Sequence, residues 1–145
     1  MADVSEAVRK FFSDYVEAAD SLDLAFLGSA YGDSFLFAGP SGTQTVKRDD
    51  FLRVLPRRKE FFVGAGLKSS LIQSLQETRL DDSYVMVKTR WSMRFEKLDA
   101  PPALVESSAT YVLRREGDSV RIVFQLDHQD LAQRIRDLGL IPAAT

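Results

Sequence analysis

Hydrophobic and polar residues alternate along residues 84–97, YVMVKTRWSMRFEK, in the pattern of one long β-strand. Because successive strand side chains point to opposite faces of a sheet, the two alternating sets lie on different faces. The pattern predicts a strand that buries the first set, which contains the single tryptophan, and leaves the second largely solvated. The first set is Val85, Val87, Thr89, Trp91, Met93 and Phe95, and the second is Met86, Lys88, Arg90, Ser92, Arg94 and Glu96.

Helical spacing of apolar residues dominates the start of the chain. Residues 4–19 carry a wide apolar stripe, which predicts a first helix with Asp3 as its N-cap. A second, shorter helix is expected from Leu24 to about Tyr31, after a cap at Ser21 or Asp23.

A short strand and a third helix are expected next. The strand covers residues 34–38 and ends at the turn cluster Gly-Pro-Ser-Gly of residues 39–42. The third helix is predicted at residues 47–55. Pro56 lacks the backbone N–H that a helix interior needs, so we expect a break or kink there and a separate helical piece at residues 57–62.

From Leu67 onward the apolar spacing changes to alternation, which predicts a run of antiparallel hairpins. On the last of these strands the alternation assigns Val120, Ile122, Phe124 and Leu126 to the buried face. A final helix is expected at residues 129–138, with Gly139 as the residue after its cap. The predicted strands are residues 67–76, 84–97, 106–115 and 120–126, joined at 81–83, 99–102 and 116–118.

This order of elements predicts one α+β domain that spans residues 1–145. We expect a strongly curved, mainly antiparallel sheet with the N-terminal helices packed on its concave face, plus a short C-terminal helix. Each long strand alternates, so one sheet face packs inward and the other faces water or a partner.

Composition narrows the classes of function. The net charge of −2 comes from interspersed charges of both signs, so we expect no nucleic-acid partner. The chain has no cysteine and one histidine, which excludes thiolate chemistry; we expect no metal site and no cofactor. It carries no signal-peptide pattern and no long apolar run, so we expect a cytoplasmic protein without membrane contact.

The helix pair followed by AYGDSFLFAGPSGTQTVKRDDFLRVL, together with the terminal segment VRIVFQLDHQ, resembles the nuclear-transport-factor-2-like (NTF2-like), or SnoaL-like, superfamily. The resemblance covers nearly the whole chain and implies a cone-shaped α+β domain. The fold hosts isomerases, hydrolases, cyclases, dehydratases and non-enzymatic binding domains, so the resemblance does not decide between these functions.

The resemblance also implies roles for individual positions. Steroid isomerases of this fold place a catalytic aspartate before the third helix, but the matching residues 37–40 contain no carboxylate. The tyrosine of their first helix matches Tyr15, and the position nearest to their second aspartate is Tyr111. Two hydrogen-bond donors without a base make a poor isomerase.

Four residues are the candidate catalytic groups: His128, Tyr111, Tyr15 and Asp33. His128 is the one side chain suited to proton transfer at neutral pH. The commoner role for it or for Asp127 is to cap the final helix, and the commoner role for Asp33 is in a turn.

A cone enclosed by aromatic side chains suits a ring-containing ligand. Trp91 would be a flat wall of that cavity, although simple core packing is the commoner role for such a residue. The candidate ligand-binding residues are Tyr15, Tyr31, Phe35, Phe37, Trp91, Met93, Tyr111, Phe124 and His128.

The outward-facing strand positions mix apolar and polar residues, which is typical of a surface that pairs with a second copy of the chain. We therefore expect a homodimer through the outer sheet face, as many members of the superfamily form. The apolar positions assigned to this face are Ile72, Met86, Val112 and Val123.

Three functions follow from these patterns. The preferred one is binding of an apolar, ring-containing small molecule in the cone, without an evident catalytic motif. The first alternative is an enzyme of the isomerase, cyclase or dehydratase type that uses Tyr15, Tyr111 and His128 on a hydrophobic ring-containing substrate. The second alternative is a structural or protein-interaction domain whose cone is filled by its own side chains.

Overall fold

The computed structural model describes residues 4–141, which form four helices and one six-stranded sheet. The sheet has the order β2-β1-β6-β5-β4-β3 and is antiparallel except between β1 and β6. The helices are α1 (Glu6–Ser21), α2 (Leu24–Ala30), α3 (Arg48–Gly64) and α4 (Leu131–Asp137). The strands are β1 (Tyr31–Gly39), β2 (Gly42–Lys47), β3 (Leu67–Arg79), β4 (Tyr84–Lys97), β5 (Ala100–Glu116) and β6 (Ser119–Asp127).

Two clusters of buried side chains hold the helices against the inner face of the sheet. The first joins α1 and α2 to β1, β4, β5 and β6, and it includes Phe12, Val87 and Leu113. The second joins the end of α3 and α4 to β4 and β5, through Phe62 and Ile135. The predicted α+β architecture, with a curved sheet and helices on its concave face, is confirmed.

The first helix begins at Glu6, with Ser5 as its N-cap; the predicted cap, Asp3, lies outside the described residues. The Ser5 hydroxyl accepts a hydrogen bond from the backbone N–H of Val8 at 3.4 Å. The carboxylate of Glu77 on β3 accepts from the Ser5 N–H at 3.2 Å and from the Ser5 hydroxyl at 2.8 Å. A remote side chain therefore does what a capping-box glutamate does within a helix, and it ties the start of α1 to the sheet.

The predicted break at Pro56 is wrong, because α3 runs without interruption through this residue. A proline inside a helix costs about 3 kcal/mol, through one lost backbone hydrogen bond and the clash of its ring with the carbonyl of the preceding turn. The helix places Phe51, Leu55 and Phe62 against the two core clusters, and this burial outweighs the local cost.

The strands β2 and β5 depart most from the prediction. Strand β2 was not predicted, since its segment GTQTVK is exposed at the sheet edge and lacks apolar alternation. Strand β5 begins at Ala100 rather than at Glu106, and so it includes Pro101 and Pro102. These prolines lie beside an irregularity in the pairing of β4 with β5, where the ladder does not need their missing N–H groups.

A β-bulge in β6 reverses the predicted faces of its second half. Leu113 pairs with Ile122 while its neighbour Val112 pairs with Phe124, so Val123 is an extra residue. Beyond this bulge Gln125 lies opposite the inward-facing Tyr111. The predicted burial of Phe124 and Leu126 in the cone is therefore wrong, and both share the outer face.

A second bulge, at Gln73 of β3, reverses a prediction for the outer face. Ile72 pairs with Trp91 and packs against the first core cluster, so its predicted outward position is wrong. Leu71 takes the outward position opposite Ser92 and is 51% exposed. By contrast, the predicted faces of β4 are confirmed, because its pairing with β5 is regular from Tyr84 to Phe95.

No helix in residues 4–141 is long and apolar enough to cross a membrane.

The turn between α3 and β3 generates a prediction about stability. Gly66 has a φ of +95°, and a Cβ placed there would lie 2.5 Å from the carbonyl oxygen of Glu96. We expect Gly66→Ala to lower the free energy of unfolding by about 2 to 4 kcal/mol, measured by urea denaturation. Gly64→Ala is the control, because a Cβ at Gly64 meets nothing within 4 Å and should leave stability unchanged or slightly higher. Equal stability of the two variants would contradict this account of the turn.

Candidate functional site

We name the slot a stretch of the inner sheet face that crosses β4, β5 and β6 at the edge of the first core cluster. Its floor is formed by two small residues of β5, Ser107 and Ala109. Trp91 of β4 lies opposite Ser107, and Asp127 of β6 lies opposite Ala109. Both larger side chains remain partly exposed. Two small residues thus lie between two larger, partly exposed ones on this part of the sheet.

A chain of hydrogen bonds runs from the narrow end of the cone to the slot. The hydroxyls of Tyr15 and Tyr31 are 2.7 Å apart, and the Tyr31 hydroxyl donates to Oε1 of Gln125 at 2.7 Å. Nε2 of Gln125 then donates to Oδ1 of Asp127 at 3.0 Å. Because Asp127 accepts from the amide nitrogen, the direction of every donor follows: Tyr15 donates to Tyr31, Tyr31 to Gln125, and Gln125 to Asp127.

Burial keeps the phenols of this region protonated. Burial is the main reason why the pKa of Tyr15 is raised, and it raises the pKa values of Tyr31 and Tyr111 well above their usual range. The negative charge of Asp127 raises all three pKa values further. The three phenols are therefore neutral hydrogen-bonding groups near neutral pH.

Trp91 is held in place by a second set of hydrogen bonds. Its indole N–H donates to Oγ1 of Thr89 at 2.8 Å, and the Thr89 hydroxyl donates to the carbonyl of Ala109 at 2.9 Å. The indole ring lies 6.3 Å from the ring of Tyr15 in an edge arrangement. The ring is thus fixed on the inner face, where it packs against the first core cluster and stays partly exposed.

Arg58 of α3 brings a positive charge to the same region. Its charge lowers the pKa values of Tyr15 and Tyr111, opposite to the effect of Asp127. The guanidinium lies over the ring of Phe62, 4.9 Å from the ring centre, and the side chain is exposed.

Most of the predicted ligand-binding residues lie inside the cone, but they pack against one another. Tyr15, Tyr31, Phe35 and Tyr111 are buried at the narrow end, with ring centres 4.6 to 6.3 Å apart between neighbours. Met93 belongs to the second core cluster, while Phe37 and Trp91 are partly exposed. The structure brings these residues together as a core and leaves the slot at its edge.

Two predicted ligand-binding residues are placed wrongly, because Phe124 and His128 lie on the outer face of the sheet. His128 is exposed, and its Nε2 is 2.8 Å from the hydroxyl of Thr110. The alternative prediction, that His128 or Asp127 caps the final helix, is wrong as well. Asp130 caps α4, and its carboxylate accepts from the N–H of Gln133 at 3.0 Å. His128 therefore has no access to the interior of the cone.

Asp33 is also remote from the cone. Its carboxylate lies 3.2 Å from the guanidinium of Arg48, and its side chain is 88% exposed. The interior carboxylate is instead Asp127, which the sequence alternation assigned to the outer face together with Gln125. The sequence shows only that Gln125 and Asp127, two residues apart on one strand, share a face of the sheet. Which face this is depends on the bulge at Val123.

Two clefts lie away from the slot. One of about 400 Å³ opens between the β3–β4 and β5–β6 turns and is lined by residues such as Arg79, Tyr84 and Arg115. The other, of about 220 Å³, lies at the β1–β2 turn beside Phe37. Neither is lined by Trp91 or by the buried tyrosines. Within the part of the chain that the structure describes, no three His, Cys, Asp or Glu side chains are grouped to hold a metal ion.

The raised tyrosine pKa values predict a loss of stability at alkaline pH. Folded phenols bind their protons more tightly than unfolded ones, so this stability is complete below about pH 10 and is lost as the pH rises toward the folded pKa values. In a Tyr84→Phe variant, the absorbance of ionised tyrosine at 295 nm reports only the three buried phenols. We expect it to rise together with unfolding seen by circular dichroism. Ionisation near pH 10 in the folded protein would contradict the burial of these groups.

The comparisons with known proteins agree with this architecture. The model of a family described as NTF2-like protein (DUF6841) matches residues 2–130. No curated protein matches the chain.

Solved structures of the same fold share little sequence with the chain. It is similar to the β subunit of benzoate 1,2-dioxygenase from Burkholderia mallei ATCC 23344, with 15% identity, a TM-score of 0.69, and 92% of this chain and 95% of that chain covered. It is similar to Aln2 from a Streptomyces species, with 14% identity, a TM-score of 0.68, and coverage of 88% and 92%. An NTF2-like protein from Novosphingobium aromaticivorans has 14% identity, a TM-score of 0.68, and coverage of 90% and 86%.

At these identities the solved structures show the fold alone, whereas the family model covers most of the sequence. With the curved sheet and its enclosed helices, this match establishes the resemblance seen in the sequence: the chain belongs to the NTF2-like family DUF6841.

Proposed function

We propose that the protein binds a ring-containing small molecule in the slot, at the mouth of the cone. The observation that carries this proposal is the partly exposed Trp91 ring, fixed by its hydrogen bond to Thr89 beside the small residues of β5. A fixed, partly exposed aromatic ring beside small residues is a surface that can pack against a second ring.

The narrow end of the cone is a poor alternative location. A ligand there would have to displace the packed rings of Tyr15, Tyr31 and Phe35. Among residues 4–141, no buried side-chain nitrogen or oxygen lacks a hydrogen-bond partner, so the interior offers no unsatisfied group for a ligand to complete. This packing supports the filled-cone interpretation for the narrow end and moves the proposed ligand to the slot.

The energy available in the slot suits a weakly to moderately bound small molecule. A ring that loses about 100 Å² of apolar surface gains about 2.5 kcal/mol. An edge-to-face or offset contact with Trp91 adds about 1 kcal/mol. Together these contributions correspond to millimolar binding, and polar contacts at Asp127 are needed for higher affinity.

A second candidate function is acid–base catalysis on a ring-containing substrate, of the isomerase, cyclase or dehydratase type. The favouring observation is that Asp127, a carboxylate, lies near three phenols that stay protonated. Asp127 would accept a proton while Tyr111 donates a hydrogen bond to the developing negative charge. Conversion of a bound ring compound that Asp127→Asn stops without loss of binding would favour this function over simple binding.

We also propose that the outer sheet face pairs with a second copy of the chain. One row of outward side chains crosses four strands in register: Leu36 of β1, Phe124 of β6, Val112 of β5 and Met86 of β4. All four are partly or largely exposed. On the same face, Arg90 and Glu106 form an ion pair within the chain at 3.8 Å, so this surface carries no large excess of one charge there.

The binding proposal predicts a specific effect of Trp91. Ring compounds that bind the wild-type protein, found by saturation-transfer NMR, should bind Trp91→Ala at least tenfold more weakly, since the flat wall is lost. Trp91→Phe keeps a ring and should lose no more than about threefold. Unfolding curves of all three proteins must show the same cooperative transition. Equal affinity of the wild type and Trp91→Ala would exclude the slot as the binding site.

The pairing proposal predicts a change of mass in solution. Sedimentation at micromolar concentration should give a dimer for the wild-type protein and a monomer for Phe124→Lys, because a charge buried in the apolar row is costly. Val63→Lys on α3 is the control, since Val63 is 57% exposed and lies off the sheet. A monomeric wild-type protein, or a dimeric Phe124→Lys variant, would contradict the pairing.

A further inference from the structure

We infer that the ligand of the slot is a cation, a ring that carries an ammonium group, with the ammonium paired to the carboxylate of Asp127. This inference rests on the proposed function and deepens it by naming the class of ligand. It depends on where Asp127 lies, on the charges around it and on the aromatic surface beside it.

The position of Asp127 follows from the bulge at Val123, which turns this side chain to the inner face opposite Ala109. One carboxylate oxygen, Oδ1, accepts the hydrogen bond from the amide of Gln125. That amide is fixed in turn by the Tyr31 hydroxyl. The carboxylate is thus oriented by the chain of hydrogen bonds, and it remains partly exposed at the slot.

Asp127 has no counter-charge in direct contact. The ion pairs within 4 Å that the described residues form do not include it. Its neighbours in the hydrogen-bond chain are an amide and phenols, and the phenols are neutral because burial raises their pKa values. The site therefore carries a negative charge that is hydrogen-bonded and not neutralised by contact.

Arg58 is the cation whose charge reaches this region, and its geometry leaves it outside contact with Asp127. Its guanidinium is stacked on Phe62 and the side chain is exposed, so water screens its charge. A ligand ammonium inside the slot would meet the carboxylate at closer range and with less screening than Arg58 does.

The choice between a neutral and a cationic ligand follows from desolvation. A neutral ring that covers Asp127 removes water from a charged group and returns at most one hydrogen bond. An ammonium returns a charge-assisted hydrogen bond and the opposite charge, while the ring of the same ligand lies against Trp91. Trp91 and Asp127 stand two strands apart and are offset by two residues along the sheet, about 12 Å between their backbones. A ring with a short alkyl ammonium chain can bridge this span.

The experiment compares 2-phenylethylamine with 2-phenylethanol, which has the same ring and chain without the charge. Affinities for the wild-type protein are measured at neutral pH by titration calorimetry, with ligand-observed NMR for weak binding. We expect the amine to bind at least tenfold more tightly than the alcohol. Added salt should weaken the binding of the amine and leave that of the alcohol unchanged, because salt screens the attraction between the ammonium and the carboxylate.

Asp127→Asn should reduce the ratio of the two affinities to about one while leaving the alcohol bound. Asp33→Asn is the matched control, since it removes an exposed carboxylate far from the slot and should leave the ratio unchanged. If Asp127→Asn does not fold, Arg58→Gln supplies an independent readout. Removal of the nearby positive charge should strengthen binding of the amine and leave that of the alcohol unchanged.

The results that overturn the inference differ from those that overturn the proposed function. Equal or tighter binding of the alcohol to the wild-type protein, or an unchanged ratio in Asp127→Asn, overturns the cationic class while slot binding stands. If neither compound binds at millimolar concentration, the inference is overturned, and the proposed function is judged by the Trp91 variants with other ring compounds.

Discussion

The structure depends on one extra residue in its last strand. Val123 lies between two regular stretches of pairing with β5, and it shifts the second stretch by one position relative to the first. Since strand side chains alternate with a period of two, this shift exchanges the faces of every residue that follows. Gln125 and Asp127 enter the cone, and Phe124 joins the outer face. Both candidate surfaces of the molecule are therefore set by the same backbone irregularity.

The polar groups that the bulge admits are tolerated because they are linked to one another. A buried glutamine without partners would cost several kcal/mol, but Gln125 receives the Tyr31 hydroxyl and donates to Asp127. The amide cannot be reversed without placing its oxygen against the carboxylate, so the direction of the chain is unique. A network of this kind fixes side-chain positions at the inner end of the slot, and preorganised groups bind ligands with less loss of entropy.

Those parts of the fold whose pattern is continuous could be predicted from the sequence. The faces of β4 were predicted correctly because its pairing with β5 has no extra residue between Tyr84 and Phe95. Strand β2 was not predicted, since an exposed edge strand needs no apolar alternation. The predicted helix break at Pro56 was wrong, because the burial of α3 side chains outweighs the local cost of a proline in a helix. For the site, the inward position of Trp91 followed from the pattern. Asp127 could not be found, because a bulge leaves no mark in the spacing of residues that are regular on either side of it.

The two candidate surfaces created by the bulge meet at consecutive residues of β6. Phe124, at the centre of the outer row, and Gln125, in the inner chain, are consecutive residues, so any partner that fixes the first also restrains the backbone of the second. The same strand is held on its other side by β1, with Leu36 opposite Phe124 and Phe37 opposite Gln125. A second copy on the outer face would stiffen this part of β6 and reduce the freedom of Asp127 before a ligand arrives. In this arrangement, pairing of two chains would favour ligand binding by preorganisation, without any contact between the partner and the ligand.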